Sequence, residues 1–103
     1  MKKAEQNLIN ERCNIAYEEA INEPVIDMER LRTCTAWVEE TPNYYRLRSY
    51  RTLIAVIAKD TDTLYNCLRA VYGYNATSAQ HISKFDKDYG RGMWGCQERL
   101  TAR

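Results

Sequence analysis

The chain contains one histidine, His81, inside YGYNATSAQHISKF (residues 72–85). An imidazole serves as a general base only with an acid, a nucleophile or a metal within reach, and the adjoining sequence supplies none. His81 is therefore read as a surface or boundary residue near the edge of a helix, with a catalytic or metal-supported centre as the weakest alternative. The four cysteines, Cys13, Cys34, Cys67 and Cys96, form no CxxC pair. Zinc sites usually draw ligands in close pairs, so a composite of Cys67, His81 and Cys96 is disfavoured. The thiols are expected to be reduced and to act as small hydrophobes. No metal or cofactor is expected.

A second set of residues suits binding. In an extended segment Tyr44, Arg46, Arg48 and Tyr50 share one face. Guanidinium groups between aromatic rings grip phosphates while the rings stack on bases. Arg69, Lys84, Lys87 and Arg91 extend the candidate surface, and Tyr89 and Trp94 are the freer aromatics for a contact. The plainer reading is a solvated sheet face, favoured by a net charge of +1 and a pI of about 7.6. "DTDT" (residues 60–63) lacks the glycine and distal glutamate of a calcium loop and reads as a turn. No phosphate-binding glycine loop, nucleophile elbow or HExxH pattern occurs, so no catalytic residues are assigned and an enzyme is not expected.

These residues need elements to hold them. Leu8, Ile9, Cys13, Ala16, Tyr17, Ala20 and Ile21 recur at helical spacing and predict an amphipathic helix over 3–23, ended by Pro24. "VIDMERLRT" (25–33) reads as a short helix or an approach to a sheet. From Cys34 the pattern predicts a four-stranded antiparallel meander: CTAWVEE, YYRLRSY, RTLIAVIAK and LYNCLRAVY. The run Leu53–Ala58 is apolar on both faces and marks the central strand. Thr77 and Gln80 fit a capping box, with Ser78 as another cap, starting a second helix from about Ser78 to Asp88 that Gly90 ends. The tail after Gly90 adds an edge strand or wraps the sheet through Trp94. The expected fold is α+β in one domain, with 1–33 helical, 34–90 meander plus helix and 91–103 a tail. Leu64, Leu68, Ile82 and Phe85 join its core.

Residues 1–41 carry five basic and nine acidic side chains, and residues 42–103 ten basic and five acidic. Such a dipole docks its basic end on an acidic partner or associates with itself, so a homo-oligomer stays open. No apolar run is long enough to span a bilayer. The polar residues after Lys2 and Lys3 do not make a secretion signal, so no membrane contact and a cytoplasmic location are expected.

Residues 46–89 resemble a family of small uncharacterised proteins from phages, plasmids and other mobile elements of Gram-positive bacteria. The pattern reads Ser49, Tyr50, Thr52, Ile54 and Ala55, then Thr77, Ser78, His81, Lys84 and Phe85. The resemblance implies a meander packed on a helix and a mobile-element origin, and it supplies no activity. With that origin the leading expectation is a non-enzymatic interaction protein that blocks a host defence nuclease, similar to an anti-CRISPR inhibitor, by protein contact. The acidic helix face of Glu11, Glu18, Glu19 and Glu23 would then imitate nucleic acid, although an ordinary solvated face is the plainer reading. The second class is a nucleic-acid-binding accessory protein using the Tyr44–Tyr50 stripe.

Overall fold

The computed structural model describes residues 3–32 and 34–103. It has helix α1 (Lys3–Asn22) and strands β1 (Asp27–Arg30), β2 (Ala36–Glu40), β3 (Tyr44–Ser49), β4 (Thr52–Ala58) and β5 (Thr63–Asn66). Helices α2 (Leu68–Val71) and α3 (Ala76–Tyr89) and strand β6 (Glu98–Thr101) complete it. The six strands lie in sequence order in one sheet. All neighbours are antiparallel except β5 and β6, which run parallel. α1 packs on one face and α3 on the other.

The fold is α+β, with an N-terminal helix and a helix on the sheet, but the sheet has six strands rather than four. β1 escaped the pattern because all four of its residues are exposed, so burial imposes no alternation. It occupies the loosely read stretch after Pro24, whose last residue, Thr33, lies outside the described residues. β6 is the edge strand allowed for in the tail. It is reached from β5 through α3, a crossover that leaves no hairpin signal. The strand read as LYNCLRAVY stops at Asn66, whose side-chain Oδ1 accepts the Leu68 amide at 3.1 Å and turns the chain into α2.

β4 sits where its composition demands. Leu53 and Val56 face α1, packing on Ala16 and Ala20, whose small side chains let the helix approach closely. Ile54, Ala55 and Ile57 face α3, with Leu47, Leu64, Leu68, Ile82 and Phe85. Ile54 and Ala55 share a side because a bulge inserts one extra residue opposite the Leu47–Arg48 step of β3. Each of these large side chains contributes about 2 kcal/mol by leaving water. The α1 seam is narrower than its sequence suggested: Leu8 is 59% exposed and Ile21 44%. Among the described residues, no helix is long and apolar enough to cross a membrane.

Candidate functional site

His81 is not a boundary residue. It lies three residues after Ser78 and four before Phe85, which puts all three on the buried side of α3. Its Nδ1 is 2.9 Å from the Ser49 hydroxyl at the end of β3, and that hydroxyl is 3.0 Å from Ser78 Oγ. The chain of hydrogen bonds closes in either direction, since each hydroxyl both donates and accepts and a neutral imidazole can do either. Tyr50, in a left-handed conformation at φ 56°, brings its ring to 6.2 Å from the imidazole. Burial, and then the charge of Lys84, holds the His81 pKa below its ordinary value, which favours the neutral ring.

A serine touching a histidine has the residue types of acyl-transfer chemistry. Access decides against that use: Ser49 is 2% exposed, Ser78 1% and His81 4%. The cluster instead joins the β3–β4 turn to the first turns of α3, so residues about thirty apart in sequence meet there. The helix is capped by Asn75, whose side chain accepts the Ser78 amide at 3.1 Å, and not by Thr77 or Ser78. Ser78 is already the third residue of the helix, and its hydroxyl faces Ser49.

The Tyr44–Tyr50 stripe is covered where a phosphate would need it open. Arg46 is 7% exposed. Its Nη2 donates to Glu39 at 2.7 Å, and its Nη1 donates to the carbonyls of Ala20 and Ile21 at 2.9 and 3.4 Å. It thus caps α1, whose own last turn has no basic residue. Its Nε has no partner among the described residues. Arg48, half-exposed, also donates to Glu39. Burial pushes the Glu39 carboxyl up, but Arg48 and Arg46 more than offset it and leave it below the ordinary value. Tyr44 donates to Glu19 at 3.2 Å, and burial, then that carboxylate, pushes its phenol up to about 12. Tyr50 alone of the four is open, at 54%.

The remaining candidates scatter. Arg69 is exposed, with its guanidinium 5.2 Å from the centre of the Tyr74 ring. Lys84 donates to Cys34 Sγ at 3.3 Å, and Lys87 is exposed. Tyr89 donates to Glu29 and packs on Tyr45 and Phe85. Arg91 donates its amide to Asp62 and reaches the Asp60 carbonyl. Trp94 does not wrap the sheet; it stands in solvent, 77% exposed, beside Met93 at 89%.

That pair forms the tip of a tight loop. Gly92 and Gly95 pair across it, amide to carbonyl, at 2.8 and 3.3 Å. Gly95 has φ 119° and lies so close to Asp86 that an added Cβ would sit 2.7 Å from the carboxylate; at Gly92 the same atom would meet the Gly95 carbonyl oxygen at 2.5 Å. Two buried carboxylates hold the stem. Asp62, 2% exposed, accepts the amides of Arg91 and Gln97 at 2.9 and 3.1 Å. Asp86, 3% exposed, accepts the Cys96 amide and pairs with Arg99, both at 2.7 Å. Arg99 also donates to the Trp94 carbonyl at 2.6 Å. A Met and a Trp are thus presented on a stem fixed from both sides.

Met93, Asp62 and Asp86 were missed in the sequence. The available signal was GRGMWGC, in which two glycines bracket an apolar pair. The acids read as one helix face are divided: Glu11, Glu18 and Glu19 on α1 are exposed, while Glu23, just past its end, is held by Asn43 at 2.7 and 2.9 Å. Glu19, Glu23 and Asp60 help line an open cavity of about 460 Å³. Among the described residues no three His, Cys, Asp or Glu side chains are placed to hold a metal ion. Comparison with family models, with curated proteins and with solved structures gives no match.

Proposed function

We propose that the chain is a non-enzymatic binding protein whose anchor is the Met93–Trp94 tip. In its sharpest form, which rests on the resemblance to mobile-element proteins, the partner is a host defence nuclease that binding inhibits. The observation that carries the binding reading is the exposure of both side chains on a stem held by Asp62 and Asp86. Trp and Met are enriched where proteins meet, and a few buried aromatic anchors dominate such interfaces. A stem already ordered before contact loses little entropy on binding. The partner must offer an apolar pocket that admits an indole.

The test is affinity capture from a Gram-positive host lysate with wild type and Trp94→Ala, followed by a nuclease assay on the captured protein. A nuclease retained by wild type, inhibited by it and released by Trp94→Ala supports the reading. Equal retention by both proteins contradicts it.

A nucleic-acid reading draws on the other end of the molecule, where Tyr50, Tyr72 and Tyr74 are exposed and Arg69 sits over Tyr74. It requires binding that weakens steeply with salt and with Arg69→Ala; salt-insensitive binding rejects it.

A further inference from the structure

Two of the four cysteines meet on the α1 side of the sheet. Cys13, in the middle of α1, is 1% exposed, and Cys67, between β5 and α2, is 3% exposed. They share one apolar cluster with Leu100 and Ala102. Cys67 Sγ lies 3.9 Å from the Cys13 carbonyl oxygen, although the residues are 54 apart in sequence. Both also line a single pocket of about 170 Å³, with Asn10, Tyr17 and Val71 on its walls. The pocket brings a small molecule to walls that these two residues help form, although both are nearly sealed in the static structure. Cys34 and Cys96 belong to the core on the opposite face.

We propose that Cys13 and Cys67 are a redox-active dithiol that closes to an intramolecular disulfide with hydrogen peroxide, tying α1 to the β5–α2 junction. Cys67 Sγ points at the Cys13 backbone, so whichever sulfur is oxidised first has the other beside it, as in the order that begins at Cys13. The Cys13 sulfur attacks one peroxide oxygen; the O–O bond breaks, the second oxygen leaves as water with the thiol proton, and Cys13 becomes a sulfenic acid. The Cys67 sulfur then attacks Cys13, the S–O bond breaks, and the hydroxyl leaves as water with the Cys67 proton. Two thiols lose two electrons and two protons, and one peroxide becomes two waters. This device is independent of the Met93–Trp94 tip.

The experiment treats the reduced full chain with a few equivalents of hydrogen peroxide and reads intact mass, non-reducing peptide maps and melting temperature. The expected product is about 2 Da lighter and carries a Cys13–Cys67 peptide. Its Tm rises by about 5 °C or more, because the bond restricts the unfolded chain. Cys34→Ser with Cys96→Ser keeps the reaction, and Cys67→Ser halts it at a sulfenic acid that dimedone traps at Cys13. A bond between another pair, a linkage between two chains, oxygen adducts on Cys13 of the wild type without a bond, no mass change, or a lowered Tm would each overturn the proposal.

Discussion

The sheet and the loop at the end of α3 treat their side chains in opposite ways. Inside, polar groups are sealed: Arg46 lies under α1 against Glu39, and His81 lies beneath the β3–β4 turn against Ser49. At the loop, an indole and a thioether stand in water while carboxylates are buried beneath them. Residue type alone would have sent the cation and imidazole outward and the indole inward. What decides is the partner set. A buried polar group is tolerated when hydrogen-bonded, and an exposed aromatic is held outside when its stem cannot fold back. The first region is built to be stable, and the second to be available.

The contrast breaks hardest at Arg46. Replacing it with Ala removes one of the Glu39 partners and uncaps α1, and should cost about 3 kcal/mol in denaturant unfolding. Arg48 remains on Glu39 and keeps the loss from growing further. A loss under about 1 kcal/mol would mean that the guanidinium is not needed there.

Gly95→Ala is next. The new Cβ meets the Asp86 carboxylate in a left-handed backbone, so about 2–3 kcal/mol should be lost. The tip should also lose its fixed shape, which hydrogen exchange at Cys96 and Gln97 would detect.

Ser49→Ala should cost about 1–2 kcal/mol, because it leaves Ser78 and the imidazole without their shared hydroxyl. The pH dependence has a definite sign. With the folded His81 pKa depressed below 6.5, the unfolded chain binds the proton first as pH falls. This contribution to stability is complete above pH 6.5 and declines as pH drops through 6.5 toward the folded value. Unfolding curves of wild type and His81→Gln across pH 5–8 should differ in that slope, wild type being the steeper; equal slopes would refute the neutral buried ring.

The frame was legible wherever burial imposed a pattern. Leu53–Ala58 reads as a two-sided strand because both of its faces are covered, and α1 reads as a helix because Cys13, Ala16 and Ala20 recur toward the sheet. β1 was illegible because all four of its residues are exposed. Arg46 and His81 were misplaced because their partners, Glu39 and the α1 carbonyls for one and Ser49 for the other, are set by tertiary packing rather than by neighbouring residues. Trp94 could be nominated from composition, but its stem depends on Asp62 and Asp86, which lie 32 and 8 residues before it.

The smallest stability effect carries the most weight. Trp94→Ala should change unfolding free energy by no more than about 0.5 kcal/mol, as for other exposed side chains. The decisive measurement is the affinity of that variant, beside wild type and His81→Gln, for the protein captured by wild type. Trp94→Ala should lose at least about thirtyfold in affinity, as for the truncation of an interface anchor, while folded His81→Gln retains it. Undiminished binding by Trp94→Ala, or a loss confined to His81→Gln, would contradict the anchor role of Trp94.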